Sequence, residues 1–164
     1  MRLIIFTIML ALTFKVTALE VSNFKSGPAC TDGKSFGWIC HNTKEVYVTG
    51  QAKCTWNGEV KPCTWYGFEF DYSGNKQGTV VECKYVMSEP GSEGNPNEVI
   101  KTESNSGSYS FSLKEESGHF YNPQYILLST QVRGKSLLKE NTICMVSGET
   151  VFEFGFNVHF PISE

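Results

Sequence analysis

The chain has 164 residues, a hydrophobic content of 40% and a formal net charge of −3 at pH 7. Proteins that bind nucleic acid through its phosphates carry a basic stripe, so this slightly acidic composition argues against a nucleic acid partner. The length is typical of one domain with a substantial core.

Residues 1–18 have the pattern of a secretory signal peptide. Arg2 precedes an apolar run from Leu3 to Phe14, and Val16–Ala18 is a small-residue cleavage pattern. The apolar run is shorter than the roughly 20 residues that a membrane-spanning helix needs. We therefore expect a secreted or periplasmic product with no membrane anchor, folded as one domain of residues 19–164.

All the cysteines follow this segment, and their number is six. An even number of cysteines behind a signal peptide indicates an oxidising compartment and a disulfide framework. Two of the pairings that we predict close short loops, and the third joins two distant strands. Six cysteines allow fifteen pairings, which spacing only ranks. The favoured pairing is Cys30 with Cys40, Cys54 with Cys63, and Cys83 with Cys144.

Apolar residues recur at every second position, which predicts strands rather than helices. The clearest alternations lie at residues 65–72, 109–113 and 151–160. Together with the weaker candidates, they predict an all-β, disulfide-stapled fold: an antiparallel two-sheet sandwich, immunoglobulin-like or jelly-roll-like. A closed barrel fits the pattern nearly as well. The weaker candidates are Glu45–Gly50, Thr79–Met87, Glu98–Glu103, Gln124–Val132 and Thr142–Val146.

Three segments have the composition of surface connections. Ser88–Asn97 is rich in proline, glycine and acidic residues, Gly118–Asn122 precedes a proline, and Arg133–Lys139 has the composition of a basic turn. Exposed loops carry much of the recognition chemistry of proteins, so the second of these segments supplies candidate ligand-binding residues. These candidates are His119, Phe120 and Tyr121.

Trp65 is the most informative tryptophan, because its place in an alternating strand predicts its direction. If Tyr66 and the residues in step with it face inward, Trp65 lies on the outer face with Glu69 and Asp71. Gly67 would leave space beside the indole, which offers a rigid, amphipathic contact surface. We therefore take Trp65, Glu69 and Asp71 as candidate ligand-binding residues, although the simplest interpretation of the carboxylates alone is a solvated face.

The other two tryptophans and the last histidine suggest less. For Trp38 and Trp56, the sequence favours burial as core residues. His159 follows the polar side of the last alternating segment and is most simply a surface histidine.

The chain shows no catalytic signature. It contains no Gly-x-Ser-x-Gly nucleophile motif and no Cys-x2-Cys zinc spacing, and its acidic segments do not match the regular calcium loop. We therefore predict no catalytic residue, no metal site and no cofactor.

The expected function is that of an exported, non-enzymatic recognition module that binds a protein or a glycan through exposed aromatic side chains. One alternative is a hydrophobic-ligand carrier that holds lipid between two phenylalanine-rich sheets. Another is a small secreted hydrolase, provided that Glu69, Asp71 and His119 converge in one cleft. A structural subunit of a surface assembly is a further alternative, which a long unpaired edge strand would support.

Overall fold

The computed structural model describes residues 19–30, 37–74, 76–90, 93–95, 98–100, 105–130 and 136–161. These residues form strands and connections, with no helix among them. None of the described segments is a helix long and apolar enough to cross a membrane. The strands are β1 (Glu20–Cys30), β2 (Trp38–Ile39), β3 (Glu45–Tyr47), β4 (Ala52–Trp56), β5 (Glu59–Ser73), β6 (Thr79–Met87), β7 (Glu93–Asn95), β8 (Glu98–Ile100), β9 (Ser106–Leu113), β10 (Gly118–Leu127), β11 (Leu137–Val146) and β12 (Glu149–His159).

The strands form two sheets, which confirms the predicted sandwich. Sheet one has the order β2-β1-β5-β10-β7-β8, with β4 also paired to β5, and sheet two has the order β3-β12-β11-β6-β9. The described pairs are antiparallel except β3, which runs parallel to β12. The prediction of a purely antiparallel sandwich therefore needs correction at that edge.

The core between the sheets is built mainly from aromatic rings. Tyr66, Phe68 and Phe70 on β5 are fully buried, because strand alternation turns every second side chain toward sheet two. Neighbouring phenylalanine rings contact one another at centroid distances from 4.2 to 6.4 Å. Burial of such side chains stabilises a fold by about 1.5 to 3 kcal/mol each. The contacting rings belong to Phe24, Phe68, Phe70, Phe111, Phe120, Phe152 and Phe154.

A second, smaller cluster lies on the outer face of sheet one. It contains Cys54, Cys63 and Tyr125, which are 4%, 0% and 4% exposed. Trp56 and Trp65 are half-buried against it. Apolar side chains are therefore buried on both faces of β5. One face packs against sheet two, and the other contributes to this outer cluster.

The three predicted disulfides are all formed. The long one differs from expectation in its position, because Cys83 on β6 lies directly opposite Cys144 on β11 in the same sheet. Their Cα atoms are 4.0 Å apart. This disulfide therefore joins neighbouring strands of sheet two instead of distant ones.

The structure corrects several predicted connections. The segment Gly118–Asn122 is not a loop, because it forms the first half of β10. Part of Ser88–Asn97 forms β7, and Leu137–Lys139 begins β11, so neither segment is wholly a connection. Residues 1–18 and 131–135, which include the predicted signal peptide and part of the basic turn, lie outside the described residues.

β1 has no counterpart among the predicted strands. Its pairing with β5 slips between Ser22 and Lys25, where a bulge places Asn23 at a φ of 49°. A bulge interrupts the two-residue period on which a prediction from alternation depends. The structure nevertheless pairs β1 with β5 on both sides of the bulge.

Candidate functional site

Four of the six candidate residues lie together on the outer face of sheet one. Antiparallel pairing places His119 of β10 directly opposite Asp71 of β5, and Tyr121 directly opposite Glu69. Directly opposed residues on one face have Cβ atoms about 4.5 to 5.5 Å apart. We call Lys25, Glu69, Asp71 and His119 the ionic row.

Glu69 is the buried member of the ionic row, with only 4% of its surface exposed. One carboxylate oxygen accepts a hydrogen bond from Lys25 Nζ at 3.0 Å, and the other accepts one from the backbone N–H of Ile39 at 3.0 Å. The interpretation of Glu69 as part of a solvated face is therefore wrong. A buried carboxylate needs partners of this kind, and these two hydrogen bonds link β1 and β2 to β5.

Asp71 is the more exposed carboxylate, and its two oxygens are also engaged. His119 Nδ1 donates to one at 2.8 Å, and Asn23 Nδ2 donates to the other at 2.7 Å. These two hydrogen bonds hold the pKa of Asp71 below its ordinary value, and the bond from Asn23 has the larger effect. Asn23 lies in the bulge of β1, where its backbone is left-handed.

His119 connects the two carboxylates. Its side chain is 54% exposed, and its Nε2 atom lies 3.9 Å from the nearer oxygen of Glu69. Glu69 and Asp71 therefore share one imidazole neighbour on a single face.

Tyr121 lies beside Glu69, and its hydroxyl is buried without a hydrogen-bond partner among the described residues. Burial, and after it the charge of Glu69, raise the pKa of Tyr121 to about 12. The phenol therefore stays protonated at neutral pH and retains an unused donor.

Phe120 does not join this surface. It points to the opposite side of β10, where its ring stacks on Phe111 at 4.2 Å and contacts Phe70 at 5.3 Å. Its prediction as a surface-loop aromatic is wrong because the segment is a strand, in which neighbouring residues face opposite ways.

Trp65 lines a separate feature, a cleft of about 520 Å³. The indole is half-buried and packs edge-on against Tyr125 at 5.2 Å. The Cys30–Cys40 disulfide lines the same cleft, as do Tyr47 and the exposed polar residues His41 and Gln51. We call this feature the Trp65 cleft.

Tyr47 also lines the Trp65 cleft, although it is not among the candidate residues predicted from the sequence. It is 61% exposed, and its ring stacks on His159 at 4.6 Å. The imidazole is also hydrogen-bonded to Glu45 through Nε2, so His159 is more than a surface histidine. Alternation within the predicted strand Glu45–Gly50 could have found Tyr47, because Val46 and Val48 on either side are buried.

Glu45 fixes this side of the cleft by joining β3 to β12. Asn157 Nδ2 donates to one of its oxygens at 2.6 Å, and His159 contacts the other. These two hydrogen bonds lower the pKa of Glu45, and the bond from Asn157 has the larger effect.

Gly67 does not provide space beside Trp65, contrary to expectation. Its φ is 154°, and a Cβ atom there would overlap with the carbonyl oxygen of Asn122. Gly67 is therefore required by the close approach of β10 to β5.

The other tryptophans also differ from expectation. Trp38 is 46% exposed, so the prediction that it is buried is wrong. Trp56 is half-buried against the outer cluster and takes no part in the core between the sheets. Trp38 is therefore the most accessible of the three indoles, although it does not line the Trp65 cleft.

Among the described residues, no group of three or more His, Cys, Asp or Glu side chains is arranged to hold a metal ion. In the ionic row, each oxygen of Glu69 and Asp71 already accepts a hydrogen bond from the protein.

No protein-family model matches the chain, and no curated protein sequence matches it. Among solved structures, an immunoglobulin-like protein from Pseudomonas aeruginosa is 12% identical with a TM-score of 0.48, and the match covers 89% of this chain and 100% of that one. The N-terminal domain of PorA is 11% identical with a TM-score of 0.35, covering 87% of this chain and 97% of that one. Both similarities are too low to support an argument. The assignment of a two-sheet β-sandwich therefore rests on the strand order described above.

Proposed function

We propose that the chain is an exported, non-enzymatic recognition module that binds a protein or a glycan in the Trp65 cleft. The observation that carries this proposal is the cleft itself, because it combines an aromatic wall with exposed polar side chains. Its volume of about 520 Å³ lies within the range of ordinary ligand sites. Aromatic rings bind sugar faces and protein side chains alike, while His41 and Gln51 can supply hydrogen bonds.

Several fixed contacts support a preformed cleft. The Cys30–Cys40 disulfide belongs to the wall, and Ile39, next to Cys40, donates its N–H to buried Glu69. On the other side, His159 holds the ring of Tyr47. A site ordered before binding costs less conformational entropy when the ligand enters. In this proposal, the ionic row supports the cleft and does not itself bind ligand.

The three disulfides fit an oxidising, extracytoplasmic environment. Export itself depends on the signal peptide predicted at residues 1–18. Expression of the full chain in a secreting host, followed by N-terminal sequencing of the exported product, tests that step. We expect the product to begin at Leu19.

The binding proposal is tested with glycan arrays and with panels of purified cell-surface proteins. We expect Trp65→Ala and Tyr47→Ala each to weaken binding to the selected ligand at least about tenfold, as loss of a central aromatic contact does. Tyr47 is largely exposed, so its replacement preserves the fold even if Trp65→Ala disturbs the outer cluster.

Trp38→Ala is the matched control, since it removes an exposed indole that does not line the cleft. We expect it to bind as the wild type does. Equal binding by the wild type and both cleft variants would disprove the site, and binding lost equally in all three variants would show a general effect of aromatic removal.

A hydrolytic alternative is favoured by one observation, the hydrogen bond between Asp71 and His119. Against it, three of the four carboxylate oxygens in the ionic row accept hydrogen bonds from residues of β1 and β2, which gives these carboxylates a structural role. Assays with chromogenic esters and glycosides decide the question. We expect the wild type and His119→Ala to be equally inactive, and a wild-type rate that falls in this variant would favour the hydrolase.

The lipid-carrier alternative receives no support from the described core. Phenylalanine rings from both sheets contact one another across the interior, for example Phe68 with Phe154 at 4.7 Å and Phe70 with Phe152 at 5.0 Å. These contacts occupy the space that a lipid chain would need.

A further inference from the structure

β9 forms one edge of sheet two. It pairs with β6 on one side, and no described strand pairs with its other side. The strand spans eight residues, and its register with β6 is continuous, without a bulge. An open edge offers a row of backbone donors and acceptors to another strand.

The hydrogen-bond pattern shows which residues offer these groups. Met87 donates its N–H to the carbonyl of Asn105, so the odd-numbered residues of β9 point their backbone groups toward β6. In an antiparallel ladder the next residues point the opposite way. Ser108, Ser110 and Ser112 therefore direct their N–H and C=O groups to the open edge.

The other described edges have the features that usually prevent such pairing. β2, β3 and β8 have only two or three residues, and β4 has five residues with an exposed lysine, Lys53. β9 has neither a charged residue nor a proline in its sequence SGSYSFSL. Short edges, lysines, prolines and bulges are the common protections, and β9 has none of them.

We propose that two copies of this chain associate by antiparallel pairing of β9 with β9, with Ser110 opposite Ser110 at the two-fold axis. The symmetric register places Ser108 opposite Ser112 and forms about six backbone hydrogen bonds. It continues sheet two from one copy into the other.

The segment is complementary to itself, which is why a second copy is the occupant. Because β9 carries no charge, two antiparallel copies bring no like charges together. On the inner face, the register sets Tyr109 of each copy opposite Phe111 of the other. Phe111 is only half-buried in one chain, and the pairing covers it with an aromatic partner.

The first test is the oligomeric state of the purified chain, measured by analytical ultracentrifugation over a wide range of concentration. We expect the wild type to be a dimer in reversible equilibrium with the monomer. Ser110→Pro removes an outward N–H without touching the ladder to β6, and we expect it to be monomeric. Circular dichroism verifies that the variant remains folded.

Ser110→Lys provides a second variant. At the two-fold axis it sets two lysines against each other. Within one chain the introduced side chain lies opposite Glu82 on β6, an opposite charge that is compatible with the fold. Val86→Lys is the matched control, because it adds the same charge at an exposed position on β6, which is not an edge strand. We expect Ser110→Lys to be monomeric and Val86→Lys to dimerise as the wild type does.

The register is tested by Ser110→Cys. The native cysteines among the described residues are all paired in disulfides, so the new thiol can form a bridge only with its copy. Because opposite residues of a hydrogen-bonded pair have Cα atoms about 5.5 Å apart, we expect a covalent dimer under mild oxidation. Val86→Cys should remain mostly monomeric on a non-reducing gel.

A wild type that stays monomeric at every concentration would overturn the proposal. So would a dimer that persists in both Ser110→Pro and Ser110→Lys. The Trp65 cleft is built from sheet one and β3, away from β9, so we expect Tyr47→Ala to leave dimerisation unchanged. A failure of the binding proposal can therefore be distinguished from a failure of the dimer proposal.

Discussion

At the residue scale, buried Glu69 holds β1 and β2 in position against β5 through the hydrogen bonds that it accepts. A carboxylate with 4% of its surface exposed is stable there only because Lys25 and the N–H of Ile39 bind its two oxygens. The same interactions fix the strand that leads into Cys40 and hence one wall of the Trp65 cleft. Alternation placed Glu69 on the outer face correctly, but its partners lie 44 and 30 positions away in the sequence.

Lys25→Met should lower the free energy of unfolding by about 1 to 3 kcal/mol, because it leaves a buried charged acceptor without one of its donors. Chemical denaturation measures the change. Lys61→Met is the control, since its partner Glu59 is 71% exposed and such surface pairs contribute about 0 to 1 kcal/mol. Equal losses in the two variants would contradict the structural role of Glu69.

Asp71 predicts a pH dependence of stability. Its pKa in the folded chain is below the ordinary value of 3.8, so ionised Asp71 stabilises the fold above that pH. This contribution disappears as the pH falls through the lowered folded pKa. We expect wild type to exceed Asp71→Asn in stability at neutral pH and the difference to shrink below about pH 4, as thermal unfolding at several pH values would measure. A difference that is constant with pH would show that the ionised form is not involved.

At the scale of elements, β5 organises the molecule. Its 15 residues pair with β1, β4 and β10, and its inward face supplies Tyr66, Phe68 and Phe70 to the core. Its outward face carries Trp65 and the two carboxylates of the ionic row. This arrangement requires β10 to approach closely at Gly67, where the carbonyl of Asn122 occupies the position of a side chain.

Gly67→Ala should therefore destabilise the chain by roughly 3 kcal/mol or more, through overlap with backbone and a positive φ together. Gly58→Ala is the comparison, since Gly58 also has a positive φ of 81° but no atom within 4 Å of an added Cβ. We expect it to cost only about 1 to 2 kcal/mol. Similar melting temperatures for the two variants would contradict the close approach of β5 and β10.

At the scale of the whole molecule, the disulfides differ in what they constrain. Cys30–Cys40 and Cys54–Cys63 close short loops beside the Trp65 cleft, with sequence separations of 10 and 9. Cys83–Cys144 spans 61 positions and closes β6 onto β11 at the centre of sheet two. Its effect should therefore be on global stability, and that of Cys30–Cys40 on the cleft.

Replacement of Cys83 and Cys144 by alanine should cost about 4 kcal/mol, against about 2.5 kcal/mol for the same change at Cys54 and Cys63, because closure entropy grows with loop length. The two pairs are matched, as all four cysteines are buried. Denaturant unfolding of both double variants measures the difference. Equal losses would show that the long loop stays compact in the unfolded chain.

The sequence by itself determined the parts of this protein that depend on local period. Alternating aromatics identified β5, β9 and β12, the bounds of β6 were predicted to the residue, and the cysteine pairing that spacing favoured is the one that forms. It also placed Trp65, Glu69 and Asp71 on one face. These results follow from strand geometry, which turns successive side chains to opposite sides whatever lies beyond them.

The tertiary structure alone decided what covers each face. It brought His119 and Tyr121 beside the carboxylates of β5, turned Phe120 into the core, and added Tyr47 to the Trp65 cleft. It also paired β1 with β5 through a bulge that local alternation does not show. Burial, partners and clefts arise from contacts between residues that are distant in sequence, and the two-residue period carries no information about which strands will meet.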